Sequence, residues 1–336
     1  MAEPLDPSLL PQSATWLAQA YDAPSDLVRF VAMTEQDYRD VSFLDDRMFQ
    51  QWRDVRTLPW PTVEKAMAST KAAPASWIFH IGHVGSTLLA RMLGEFDGML
   101  SVREPRILRD LAMLNAARRR AMTPIVTALL SRSFGRRRPV VKATSFVSEV
   151  APELVAEDAS AIFLTASPTS YILTILAGEN SRKELHSLRD FRASRISGRV
   201  PGIAKATNDA QLAAIAWACE MTSLEAAADR LAAEQTLWLD FDDFLTSPAI
   251  QLLACASHLG FNGTTGEAAT VANGPLIRRY SKDPSFDYSP TLRRDLLAEA
   301  ASRHGGEIDA ALALLDEAAN HSPLLRRALD RFVRKD

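Results

Sequence analysis

Apolar residues in this chain gather in short runs that stop at turn-forming residues, and longer stretches with helical periodicity separate those runs. The run at 77–81 ends at Gly82, as a buried parallel strand does on entering a loop, and a helix is predicted to follow over 88–93. Further strands are predicted at 99–102, 139–142, 161–165 and 236–239, with helical segments at 106–121, 125–133, 169–177 and 209–233 between them. Alternation of this kind predicts an α/β fold of three layers, a central parallel sheet flanked by helices. Residues 1–73 carry helix-like segments at 14–21 and 61–69 around a strand-like or helical stretch at 27–33, and read as a helical covering segment. The core is expected over 74–272. Residues 273–336 are expected to hold a basic loop and a helical C-terminal segment, interrupted near Gly305, within one compact domain.

The 336 residues, 47% of them apolar, are enough to bury a full core. A formal charge of −3 gives no overall electrostatic reason to expect nucleic acid or an anionic membrane as partner. Cys219 and Cys255 lie in apolar helical patterns without paired spacing, so they read as buried thiols and not as a disulfide or zinc site. The opening residues are acidic and proline-rich where a signal peptide would be basic and then apolar, and no stretch of about 18 apolar residues occurs, so a cytoplasmic location is expected.

The sequence Gly82-His83-Val84-Gly85-Ser86-Thr87 stands between a strand and a helix, where glycines let backbone N–H groups turn inward and the helix N-terminus favours an anion. A phosphate or sulfate is the ligand this pattern suits; a tight turn without a ligand is the bland alternative. It is not an ATP-binding loop of the Walker type, because Gly85 replaces the lysine expected before the Ser/Thr pair. The strand 161–165 runs into Ala166 and Ser167 and brings no acidic magnesium ligand, so no metal is expected and a small-molecule kinase is the weaker reading.

From this loop onward the chain resembles the PAPS-dependent sulfotransferase superfamily, and within it the tyrosylprotein sulfotransferase branch. The family's loop, basic-Ser-Gly-Thr-Thr-Leu, is matched by His83, Val84, Gly85, Ser86, Thr87 and Leu88, with histidine at the basic position. The branch's Glu-x-Arg element is matched by Glu104-Pro105-Arg106 at the same distance from Gly85, and the family's strand ending in lysine by Val140-Val141-Lys142. Where the family carries an arginine and, eight residues on, a serine for the donor's 3′-phosphate, this chain has Ala166 and Thr174. Trp217, the strand ending in Asp240 and the stretch closing at Pro248 complete a likeness over 77–248.

The resemblance implies PAPS as sulfuryl donor, PAP as product and no metal. Glu104 would be the base, Lys142 a bridge to the leaving oxygen, and His83 the remaining positive charge, with activity fading at alkaline pH because a free imidazole titrates near ~6.5. Gly82, His83, Val84, Gly85, Ser86 and Thr87 would cradle the donor's 5′-phosphate, and Arg106 would hold Glu104 ionised or bind an acidic acceptor. With Ala166 lost as a grip, Thr174, Arg182, Arg279 and Lys282 are candidates for the 3′-phosphate. The alternative for Glu104 is a structural ion pair with Arg103 or Arg106. Pro105 predicts an extended backbone at Glu104. His80 reads as a core residue or a support to the site, and Arg189, Arg192, Arg195 and Arg199 as a solvated helix face or a ligand contact. The acceptor is a hydroxyl or amine of unread identity, and the competing readings are a non-catalytic or altered-donor nucleotide-binding protein and the kinase.

Overall fold

The computed structural model describes residues 5–51, 53–68, 70, 73–278 and 290–333. The five-stranded sheet of the core consists of β4 (Ser76–His80), β5 (Met99–Arg103), β6 (Arg138–Lys142), β7 (Ala161–Thr165) and β8 (Thr236–Asp240), in the order β5-β6-β4-β7-β8 with every pairing parallel. All residues of β4, β5 and β7 are buried, because helices cover both faces and no position alternates toward water. The helices Ser86–Leu93, Pro168–Ala177 and Asp209–Ala228 supply much of that cover. The α/β fold with a central parallel sheet is as predicted. The connection from β4 leads to β5 on one side and that from β7 to β8 on the other, so a crevice opens at the carboxyl ends of the central strands.

The N-terminal segment departs from its expected form. Residues 14–21 are not helical: β1 (Trp16–Asp22), β2 (Leu27–Ala32) and β3 (Val55–Pro59) make a second, antiparallel sheet in the order β1-β2-β3. The reason is the turn after Asp22, which contains Pro24 and the left-handed Asp26 (φ 53°) and folds β1 back onto β2. Only the helix Trp60–Met67 answers to the expected 61–69. The predicted helix 106–121 is divided into Arg106–Ala112 and Ala116–Leu130, the second capped by the Asn115 side chain on the Arg118 N–H. At the C-terminus the helix Pro290–Ala319 is kinked at His304, beside the expected break, and Pro323–Val333 follows.

One buried cation fastens the start of the N-terminal sheet to the end of the helix Ala116–Leu130. Arg132 donates to the carbonyls of Leu129 (2.7 Å), Leu10 (2.9 Å), Ser13 (3.3 Å) and Trp16 (2.6 Å). Arg132→Met would leave these carbonyls short of donors, and a loss of about 3 kcal/mol is expected. Urea unfolding is the measurement, with the midpoint lowered at unchanged slope; an unmoved midpoint would show that these four bonds add nothing net to stability.

Candidate active site

Three parallel strands end at one place. His80 closes β4, Lys142 closes β6, and Glu104 follows directly on β5, where its N–H donates to the Lys142 carbonyl (2.7 Å) and extends the ladder by one step. All three line a cleft of about 1040 Å³ together with Gly82, His83, Ser86 and Thr87. The expected loop, base and lysine are thereby brought together.

The loop backbone is left-handed at Gly82 (φ 83°), His83 (φ 53°) and Gly85 (φ 64°). At Gly85 a Cβ would also overlap the Phe241 ring, so both backbone and space demand glycine. The helix Ser86–Leu93 starts immediately after, with Ser86 and Thr87 buried at its first turn and Val84 packed into the core. His80 is fixed as a support. Its Nδ1 accepts from the Gly82 N–H (3.0 Å), which leaves the proton on Nε2 for the Ala143 carbonyl (2.9 Å), and Nε2 lies 3.9 Å from Glu104 Oε1.

Glu104 is 8% exposed and does not take the extended backbone predicted from Pro105: its φ is 51°. The paired strand ends account for this, because the residue must turn its carboxylate into the crevice while its N–H stays on Lys142. Such a conformation costs of order 1–3 kcal/mol and has to be held by its surroundings. Neither Arg103 nor Arg106 is the partner. Lys142 Nζ bonds Glu104 Oε1, and Arg47 Nη2 bonds Oε2 at 3.0 Å. Arg103 is buried and spends its guanidinium on the carbonyls of Ser101 (3.2 Å), Val41 (2.5 Å) and Tyr38. Arg106 stands in the cleft wall with its charge taken up by Asp46 and Asp110.

Arg47 comes from the N-terminal segment, outside the span of the likeness seen in the sequence, and no local pattern marks it. Asp45 holds it from two sides, Oδ1 accepting from Nε (2.8 Å) and Oδ2 from Nη2 (2.6 Å), and its guanidinium carbon lies 3.4 Å from the centre of the Phe43 ring. Burial opposes its charge, but Asp45 and Glu104 outweigh that and raise its pKa further above the ordinary value. Phe146 and Phe191 form another wall edge to face (5.3 Å), with Arg109 over Phe146 (5.6 Å).

His83 meets the helix Glu179–Ser187: its Nδ1 is 3.2 Å from Ser181 Oγ and its Nε2 3.5 Å from Glu184 Oε2. Thr174 donates to the Ser170 carbonyl (2.8 Å) within its own helix, and Ala166 is buried with its carbonyl accepting from Trp217 Nε1 (2.9 Å). Arg182 is partly buried on the helix Glu179–Ser187. Arg279 and Lys282 lie outside the described residues. Of the arginine stripe, Arg189 is exposed as a solvated face would have it, whereas Arg192, Arg195 and Arg199 are drawn inward and away from the cleft: Arg192 and Arg195 meet Glu220, while Arg195 and Arg199 meet Glu149. Burial pushes the Cys219 and Cys255 thiols up to about 12, in keeping with inert core residues.

No family model matches the chain, and no curated protein does. Solved structures with a similar chain path include a sulfotransferase domain from the curacin biosynthetic pathway, 15% identical with a TM-score of 0.41, covering 70% of this chain and 99% of that one. Mouse sulfotransferase SULT7A1 complexed with PAP is 12% identical with a TM-score of 0.44, covering 80% and 92%. A sulfotransferase from Alicyclobacillus acidocaldarius is 16% identical with a TM-score of 0.38, covering 71% and 97%. Scores of 0.38 to 0.44 do not bear on activity, which the residues of the cleft must carry.

The geometry makes a demand of its own on stability. Glu104→Gln leaves Lys142, 1% exposed, facing a neutral amide, and is expected to cost about 3 kcal/mol. Adding Lys142→Met removes the stranded charge and should recover part of that loss in urea unfolding; additive losses in the double variant would mean that the two side chains do not depend on each other.

Proposed function

We propose that this chain is a sulfotransferase that moves a sulfuryl group from PAPS to a hydroxyl or amine, a peptide tyrosine among the candidates. The observation that carries the reading is Glu104, held on a left-handed backbone at the end of β5 and paired with Lys142 at the rim of a glycine-bearing phosphate loop. The loop suits the 5′ end of the donor: a helix N-terminus, buried hydroxyls on Ser86 and Thr87, and a Gly85 that admits no side chain. When bound, the donor supplies an activated sulfuryl group on its 5′-phosphate.

In-line transfer asks two things of the protein, a base on the acceptor and positive charge near the moving oxygens. Glu104 meets the first. Its carboxylate is held between Lys142 and Arg47, faces the cleft, and takes the acceptor's proton as the acceptor oxygen or nitrogen bonds to sulfur. His80 keeps the Gly82 turn in register with that carboxylate through its two nitrogens. The aromatic wall of Phe146 and Phe191 suits an acceptor with an apolar body.

A second reading, an altered-donor nucleotide-binding protein, is favoured by one observation: Ala166 and Thr174 turn no free grip toward a 3′-phosphate. Calorimetric titration separates the two. PAP is expected to bind tightly, with 5′-AMP far weaker and ATP with magnesium not competing; equal binding of PAP and 5′-AMP would favour the altered donor, and ATP alone would favour a kinase. In the same assay Glu104→Gln should bind PAP nearly as the parent does while transfer from PAPS is abolished. Loss of PAP binding in that variant would assign Glu104 to structure.

A further inference from the structure

The proposed transfer needs a cation that faces the sulfuryl oxygens, and two residues assigned to that task are otherwise engaged. Lys142 is 1% exposed with its ammonium on Glu104, and both nitrogens of His83 lie against Ser181 and Glu184. Arg106 is shared between Asp46 and Asp110. Arg47 is different. Its Nε and Nη2 are fixed on Asp45 and Glu104, which leaves Nη1 with no acceptor among the described residues, and half of the side chain is open to the cleft. The Phe43 ring, 3.4 Å from the guanidinium carbon, stops the fork from swinging away.

Resting on the sulfotransferase reading, we infer that Arg47 is a catalytic residue that binds the transferring sulfuryl group through Nη1, in the place of the basic residue that the loop lacks at His83. The acceptor oxygen or nitrogen bonds to sulfur while the bond from sulfur to the bridging oxygen breaks. The electron pair of that bond stays on the donor's phosphate, and the acceptor's proton goes to Glu104. Throughout, the planar SO3 unit presents oxygens to a guanidinium already anchored on the base, so base and cation keep a fixed separation. This couples an N-terminal residue to the chemistry of the parallel sheet.

The test compares PAP, which has no sulfuryl group, with PAPS, which has one, in wild type, Arg47→Ala and Arg47→Lys. Wild-type binding of PAP checks the sulfotransferase reading by itself; if it fails, that reading fails before Arg47 is judged. Where it holds, Arg47→Ala is expected to bind PAP within about threefold of wild type but PAPS about tenfold more weakly, and to release sulfate from PAPS to water about 100-fold more slowly. Guanidinium ion at tens of millimolar should restore part of that rate, whereas urea should not. Arg47→Lys, which keeps a charge at the site, should fall between. Equal affinity for PAPS in all three proteins would overturn the inference. So would a parallel loss of PAP and PAPS binding accompanied by a lowered melting temperature, which would make Arg47 a structural support of Glu104.

Discussion

A carboxylate set into the carboxyl end of a parallel sheet governs this molecule's site. Withdrawing an ion from water costs several kcal/mol unless cations stand on it, and here each oxygen of Glu104 has its own, Lys142 on Oε1 and Arg47 on Oε2. The register of the sheet makes the first possible: Arg103 pairs with Lys142 across β5 and β6, so the next residue of β5 arrives beside the lysine's side chain. The left-handed turn at Glu104 follows, since the backbone must keep its bond to the Lys142 carbonyl while the side chain enters the crevice. His80, wedged between the Gly82 N–H and the Ala143 carbonyl, then sets the glycine loop at a fixed offset from the same carboxylate.

The second cation explains why the N-terminal layer is more than a cover. The segment between β2 and β3 is fastened to the end of β5 twice, by the Leu44 N–H on the Arg103 carbonyl (2.8 Å) and by the Arg103 guanidinium on the carbonyls of Tyr38 and Val41. Asp46 bridges Arg29 of β2 to Arg106 beyond β5, so the same few residues are tied to both sheets. Asp45 and Phe43 can therefore aim Arg47 with little loss of side-chain entropy on binding, because the ordering has already been done by the fold.

Much of this was legible in the sequence where one element's own residues decide the outcome. The strands of the parallel sheet are continuous apolar runs because both faces are covered, and the loop announces itself because Gly82 and Gly85 occupy left-handed positions. Residues 14–21 misled because leucine and alanine favour a helix, and the deciding factor is a turn and a partner strand further along the chain. Arg47 was invisible for a related reason: an arginine after two aspartates carries no local signal, and the carboxylate that it meets lies 57 positions away. The arginines at 192, 195 and 199 share a face, as their spacing indicates. Which way the face points is decided by Glu149 and Glu220, each on a different element.

On the sulfotransferase reading, recognition of a distal phosphate would face the same constraint of side chains already engaged. The Thr174 hydroxyl donates back to Ser170, an arrangement worth about 1 kcal/mol that leaves the oxygen's lone pairs, and not its proton, for a ligand. An anion recruiting Thr174 must therefore displace the Ser170 carbonyl, a modest cost that a cation nearby would offset. Arg182 rides on the helix Glu179–Ser187, whose Ser181 and Glu184 meet His83, but it is not among the residues lining the cleft. A ligand drawing on Arg182 would pull on the helix that also sets the histidine, so the two ends of the donor would be sensed through one element. On this geometry His83 connects the loop to that helix, while the second cation on Glu104, after Lys142, belongs to the N-terminal layer.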